Sequence, residues 1–357
     1  MQMILTHLWE LARVLDRHGA HRVFLVCDPS FEKLDIRDEI LRMVSPVARF
    51  SAFTPNPRYE EAADGAARFL ESGADAILAV GGGSTMDVAK CVKAFSAMDP
   101  ARSYLEQPYP VRGVPLVAIP TTAGTGSEST RFAVIYLQGV KQSLADETLL
   151  PDCAILDGRA VMTLPIYQKK CTMMDAVCHA VEAWWSVRST SESKEYSRAA
   201  ISHIRKHMDG YLAGHKDGLD GMLMAANLAG RAIDIAQTTA AHAMSYKLTS
   251  LYGIPHGRAA ALCLPGVWEH LLTVADEALT ETLDDIACAL GALDARDAIR
   301  VLRDLLARLG LSEPPPATEK EIALLIASVN PVRLKNSPIP MSKAVVEALY
   351  RKLLVVA

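Results

Sequence analysis

The chain has 357 residues and a formal charge of −4, with 50% hydrophobic and 22% charged side chains, a balance that suits a globular protein with room for two cores. No Lys/Arg block stands out, which excludes an electrostatic claim on nucleic acid or an anionic membrane, and no apolar run reaches the roughly 18–20 residues of a membrane span. The seven cysteines are odd in number and form no CxxC pair, and no basic-then-apolar leader opens the chain, so the expectation is a reducing cytoplasm rather than a disulfide frame.

In chain order, the first 22 residues have the spacing of an amphipathic helix. RVFLVCD (22–28) reads as a buried strand and ARFSAF (48–53) as a weaker one. RYEEAADGAARFLESG (58–73) has helical spacing and closes on Gly73. DAILAV (75–80) is an uninterrupted apolar strand, STMDVAKCVKAFSA (84–97) a helix with Ser84 as its N-cap, and VPLVAIP (114–120) a further strand. This alternation predicts a mostly parallel sheet with helices on both faces. Beyond about residue 158 helical periods dominate and strand candidates nearly vanish. The domains expected are an α/β unit over 1–157 and an all-helical unit over 158–357, with a Pro-rich connection at 311–320.

Two loops carry chemistry in the first half. Gly81, Gly82, Gly83 and Ser84 stand where a strand passes into a helix. Glycines there let the backbone approach a ligand, and the free N–H groups of a helix start attract anions such as a pyrophosphate. Alone, the same residues serve equally as a tight turn with no ligand. The turn also follows the third strand, whereas a dinucleotide fingerprint belongs on the first βα unit. The second loop, IPTTAGTGSEST (119–130), is rich in Thr and Ser hydroxyls that can bond a ribose or phosphate. Two such loops after neighbouring strands favour a nucleotide. Asp28, at the end of the first strand, can hold a ribose 2′-OH and would repel a 2′-phosphate, which favours NAD over NADP without excluding NADP.

The second half carries a possible metal set. Asp175 and His179 are four apart, hence on one helical face, and His242 and His256 follow in AAHAMSYKLTSLYGIPHG (240–257). One carboxylate and three imidazoles suit Fe²⁺ or Zn²⁺. Singly, each has a plainer reading as a core histidine or a helix-face pair. His203 and His207, also four apart, read as solvated surface near a helix C-terminus.

Together, GGGSTMDVAK, PTTAGTGSE, LLPDCAILD, DAVCHAVEAWWS and the pair His242 and IPHG resemble the iron-containing alcohol dehydrogenases, in that family's order from about residue 20 to the last helix. The resemblance implies a dehydroquinate-synthase-like fold, with an α/β NAD(P)-binding domain and an all-α metal-binding domain, and a tendency to homodimerise through edge strands. It implies Asp175, His179, His242 and His256 as metal ligands, Fe²⁺ or Zn²⁺. It implies Gly82, Gly83, Ser84 and Asp87 as the phosphate loop, Thr121, Thr122 and Thr125 as the second cofactor loop, Lys141 as a ribose contact, and Asp28 as the NAD/NADP position.

Two departures bear on mechanism. Many members have a His four residues after the third ligand, where this chain has Tyr246, and a Gly before the ligand Asp, where it has Met174. Tyr246 can pass or order a proton through its hydroxyl, or simply pack. WWSVRSTSESKEYS and HAMSYKLTSLYGIPHG further resemble the phosphonoacetaldehyde reductase branch, for whose anionic substrate Arg131, Lys247 and Arg258 are the candidate cations. The expected function is metal-dependent reduction of a small aldehyde with NAD(P)H. The alternatives are a general short-chain alcohol dehydrogenase, a lyase or cyclase that uses NAD transiently, and a non-catalytic scaffold.

Overall fold

An interior strand of the sheet shows why these residues fold as they do. Val23–Cys27 (β2) is buried on both faces: Phe24 and Val26 join one apolar cluster, Leu25 and Cys27 the other. A strand covered by helices on both sides needs no polar alternation, so it reads as a continuous apolar run. The computed structural model describes residues 2–110 and 113–356. They fall into two units: the residues up to Leu164 with Ala213–Asn227, and Pro165–Leu212 with the residues from Leu228 onward.

The elements of the first unit begin with β1 (Met3–Leu5) and α1 (Leu11–Arg17), followed by β2 and α2 (Arg37–Val44). β3 (Ala48–Phe50), α3 (Tyr59–Ser72), β4 (Ala76–Gly81), α4 (Gly83–Phe95) and β5 (Leu116–Pro120) continue it. A hairpin, β6 (Phe132–Leu137) and β7 (Val140–Ala145), and then β8 (Cys153–Ile155) complete the strands of this unit. Six strands form one parallel sheet in the order β1-β8-β5-β4-β2-β3. Chain direction across the sheet therefore reverses at β2, which has β3 on one side and β4 on the other.

Two expectations are corrected. Residues 1–22 are not one helix. Met3–Leu5 pair in parallel with Cys153–Ile155 and extend the sheet, and the helix starts only at Leu11, after a short 3-10 turn. Periodicity missed this because β8, the partner, lies about 150 residues away. Ser84 is not the N-cap of α4. Gly82 holds that position, and the Ser84 hydroxyl accepts the Asn56 N–H instead. The hairpin β6–β7 was not expected. Its turn, Gln138–Gly139, has φ of 51° and 77°, the left-handed pair that twists a two-residue hairpin correctly.

The helical elements are α5 (Ile166–Trp185), α6 (Ser191–Leu212), α7 (Lys216–Ala236), α8 (Ala240–Tyr252) and α9 (His256–Val274). α10 (Glu277–Leu290), α11 (Ala295–Leu309), α12 (Glu319–Ser328), α13 (Pro331–Leu334) and α14 (Lys343–Leu353) follow. Two short segments in the second unit, β9 (Pro316–Ala317) and β10 (Val355–Val356), pair in parallel and put one strand contact into the Pro-rich connection. In this unit α5 packs against α6, α8 and α9, and Trp185 meets Trp268 edge to face at 5.3 Å. No helix among the described residues is long and apolar enough to cross a membrane.

Within α3, a Cβ on Gly65 would come within 2.9 Å of both Phe50 Cε1 and Val92 Cγ2. Both neighbours are core side chains with little room to move. Gly65→Ala should therefore destabilise the chain by about 1–2 kcal/mol in urea unfolding, although alanine favours a helix. An unchanged or raised midpoint would show that α3 slides to make room.

Candidate metal centre

Helix α5 places Asp175, His179 and Glu182 on one face, at i, i+4 and i+7. All three side chains are buried. His242 lies in the first turn of α8, and His256 opens α9 just after Pro255. Ligand atoms of Asp175, His242 and His256 lie within 4.8 Å of one another. Asp175 Oδ1 is 3.4 Å from His242 Nε2 and 4.0 Å from His179 Nε2. The His179 ring stacks on that of His242 at 4.6 Å.

A direct observation tests whether this set suits an ion. Asp175 Oδ1 and His242 Nε2 are both buried, and neither makes a hydrogen bond. Without a hydrogen bond between them, the two atoms are held by ion pairing with the charged ring, and a cation that displaces the ring proton would engage both. A divalent cation does so, and a donor set of one carboxylate oxygen with imidazole nitrogens suits iron or zinc. The residues fit the group. The nearby thiols do not compete as ligands, since burial pushes Cys171 and Cys178 up and keeps them protonated.

The charges are arranged to match. Burial would raise the Asp175 carboxyl, yet His179, His242 and His256 hold it well below the usual carboxylate range. Burial would lower His242, but the carboxylates of Glu182 and Asp175 lift it to about 10. His242 Nδ1 hydrogen-bonds Glu182 Oε2, so Nε2 is the nitrogen turned to Asp175. Ser245 Oγ donates to the His242 carbonyl and lies 3.4 Å from His256 Nδ1. The Tyr246 ring lies parallel to the His256 ring, 5.3 Å away. Gly257 is required here: a Cβ would fall 2.1 Å from the Cys171 carbonyl and 2.7 Å from Asp175 Cβ.

The residues with the phosphate-loop pattern gather at the C-terminal ends of β2, β4 and β5, three neighbouring strands. Asp28 follows β2, Gly82 and Gly83 follow β4, and Thr121, Thr122 and Thr125 follow β5. This is where the strand order reverses, the crevice that open α/β sheets use for ligands. The glycine turn follows β4 rather than the first strand, and it still lies at this reversal because β4 adjoins β2 on the side opposite β3. A Cβ on Gly82 would meet Thr122 at 3.3 Å, and one on Gly83 would meet Thr125 at 3.2 Å. The Thr122 hydroxyl is buried with no hydrogen-bond partner. Asp28 accepts from the Ser30 N–H and the Thr85 hydroxyl.

Lys90, one turn beyond Asp87 on α4, is fully buried. Its Nζ donates to the Ser127 carbonyl at 2.7 Å, the Thr130 hydroxyl at 3.1 Å and the Phe132 carbonyl at 2.6 Å. One cation thus ties the helix after the glycine turn to the loop after β5. The Asp87 carboxyl accepts from the Ser127 hydroxyl and is also within electrostatic reach of Lys141.

Glu182, Ser245 and Lys90 were not singled out from sequence. Glu182 does carry a signal in the sequence, because it continues the spacing of Asp175 and His179 by three residues. Ser245 and Lys90 carry no comparable signal. Of the candidate cations, Arg131 pairs with Glu147, and Arg258 donates to the Tyr167 hydroxyl and the Glu313 carbonyl. His203 and His207 stack on each other along α6 and are half-buried rather than fully solvated.

Residues 5–158 match the family described as iron-containing alcohol dehydrogenase, and residues 170–354 match the C-terminal part of the Fe-containing alcohol dehydrogenase family. The chain is 36% identical over 259 residues to a probable alcohol dehydrogenase EutG of Escherichia coli (strain K12), covering 69% of this chain and 64% of that protein. It is 33% identical over 261 residues to a phosphonoacetaldehyde reductase of Streptomyces viridochromogenes, covering 66% of this chain and 65% of that one. Each match thus spans just under two thirds of the relative. The crystal structure of sulfoacetaldehyde reductase from Bifidobacterium kashiwanohense in complex with NAD+ superposes with a TM-score of 0.89 at 26% identity, over 99% of this chain and 96% of that one. The chain belongs to the iron-containing alcohol dehydrogenase family, oxidoreductases that act on alcohols, and its fold is the dehydroquinate-synthase-like one.

Gly257→Ala should abolish stoichiometric metal binding in metal analysis while leaving a folded chain, because the added methyl displaces Asp175. Full occupancy would show that α9 can shift without cost. A pH test bears on Asp87, whose carboxyl burial raises to about 6 against the pull of Lys90, Ser127, the Val134 N–H and Lys141. Between pH 4 and 6 the native state then binds more protons than the unfolded one, so this group's contribution to stability falls as pH rises through that window. Asp87→Asn should raise the melting temperature at pH 7.5 and leave it unchanged at pH 4. An equal effect at both would refute the shift.

Proposed function

We propose that this chain is a metal-dependent aldehyde reductase that uses NAD(P)H, with NAD(H) preferred, and interconverts a small aldehyde with its primary alcohol. The observation that carries the reading is the pair of unbonded buried atoms, Asp175 Oδ1 and His242 Nε2, with His256 beside them. On this reading Asp175, His179, His242 and His256 hold Fe²⁺, or Zn²⁺ in its place. Gly82, Gly83, Ser84 and Asp87 hold the pyrophosphate, Thr121, Thr122, Thr125 and Lys141 the ribose and nicotinamide end, and Asp28 the adenosine ribose.

When bound, the metal supplies Lewis acidity toward the aldehyde oxygen and the nicotinamide supplies hydride. The chain's own part is to orient and to manage a proton. The Tyr246 ring stacks on that of His256, and its hydroxyl, carried on α8 with His242, is the group assigned to pass or order a proton. Asp28 spends one acceptor site on Ser30 and one on Thr85, and its remaining lone pairs can receive a ribose hydroxyl while its charge disfavours a 2′-phosphate. A homodimer is part of the reading.

The substrate we propose is phosphonoacetaldehyde, reduced to 2-hydroxyethylphosphonate. The likeness to a phosphonoacetaldehyde reductase and to a sulfoacetaldehyde reductase, two enzymes named for small anionic aldehydes, supports it. Because Arg131 and Arg258 are engaged elsewhere, the role of phosphonate cation falls to Lys247, half-buried on α8.

The test is NADH oxidation by the Fe²⁺-loaded protein offered phosphonoacetaldehyde, propanal and glycolaldehyde. A charge-assisted contact should favour the phosphonate by about ten- to a hundredfold in kcat/KM. Equal rates would leave a general alcohol dehydrogenase, and no net NADH consumption would favour a lyase. His256→Ala should lose both metal and turnover; unchanged metal content would sink the ligand assignment.

A further inference from the structure

Glu182 is completely buried, and its two oxygens face different partners. Oε1 accepts from the Thr239 N–H at 3.0 Å, the Thr239 hydroxyl at 2.5 Å and the Ala241 N–H at 3.0 Å. Oε2 meets His242 Nδ1. Thr239 is the N-cap of α8, yet its own side chain caps nothing. Its hydroxyl instead accepts from Trp185 Nε1 at 2.9 Å, which leaves its proton for Glu182. The free N–H groups of α8 are therefore satisfied from another helix, by a carboxylate placed where a helix dipole favours negative charge.

We propose that Glu182 is a positioning residue of the metal centre, the buried acceptor that fixes the start of α8 and the ring of His242 at once. The inference rests on the ligand set given under Proposed function. Every group turned toward Glu182 is a donor, apart from the imidazole nitrogen whose proton is to be decided. Only a carboxylate presents two acceptor atoms in that space. A carboxylate at Oε2 keeps the proton on His242 Nδ1, so Nε2, facing Asp175, is the nitrogen that gives up its proton when a metal binds. An amide cannot meet both sides. With its oxygen toward His242, its NH₂ opposes the donors at the start of α8. With its NH₂ toward His242, it forces the proton onto Nε2, which can then no longer bind a metal.

The test is Co²⁺ binding to the metal-free full-length protein, followed by the cobalt absorption bands and by chelator competition, with the thermal midpoint of each metal-free form measured alongside. Glu182→Gln should bind Co²⁺ about ten- to a hundredfold more weakly than the unaltered chain, the usual loss when a ligand's hydrogen-bonded carboxylate is removed. Glu182→Asp keeps the charge on a shorter arm and should fall between the two; it also carries the test if the Gln variant does not fold. In a His242→Ala background, Glu182→Gln should cost no further affinity, a coupling that a purely structural role would not produce. Either variant binding Co²⁺ as tightly as the unaltered chain, or undiminished losses without His242, would overturn the role of Glu182. Failure of the unaltered chain to bind Co²⁺ would overturn the ligand set itself, and is seen before any variant is compared.

Discussion

The second unit depends on the burial of two carboxylates on α5. Asp175 and Glu182 are both nearly without solvent contact, and an ionised carboxylate there is costly unless it is paired and hydrogen-bonded. The chain answers with imidazoles and with the open end of a helix. His179 comes from the same helix, His242 and the first N–H groups of α8 from a second, and His256 from the start of a third. The need to satisfy two acids thus sets where α8 and α9 begin. It also explains why Gly257 must lack a side chain, since α9 starts in contact with the backbone of α5.

The partners are not alike in what they leave behind. Glu182 is saturated, with donors on both oxygens. Asp175 Oδ1 is not, and neither is the His242 nitrogen opposite it. A protein interior rarely keeps unsatisfied polar atoms in facing pairs without a use for them. The saturated acid holds the geometry, and the unsatisfied one offers chemistry. In the first unit the same division recurs: Lys90 is saturated and locks one loop to the helix after another, while the Thr122 hydroxyl beside Gly82 has no partner.

Much of the α/β unit was legible because strands covered on both faces advertise themselves. DAILAV and RVFLVCD need no partner in view to be read as buried strands, and Gly73 closes α3 with a φ of 61°, as a terminal glycine should. Elements that depend on distant pairing were not legible. Met3–Leu5 are extended only because β8 has a free edge to take them. The hairpin had a signal in its Gln–Gly turn, weaker than the Asn–Gly that usually marks one.

The sequence by itself determined the periodicities, the placing of glycines where a strand enters a helix, and the face shared by Asp175 and His179, because these are set by neighbours within a few residues. It also carried the family, through several motifs in order. Only the tertiary structure decided that His242 and His256 come to that face, that Glu182 binds the start of α8, and that the glycine turn lies at the point where the strand order reverses. Those facts depend on which helices and strands become neighbours. That is settled by burying apolar surface and satisfying buried charge across the whole unit, and no local stretch of residues encodes it.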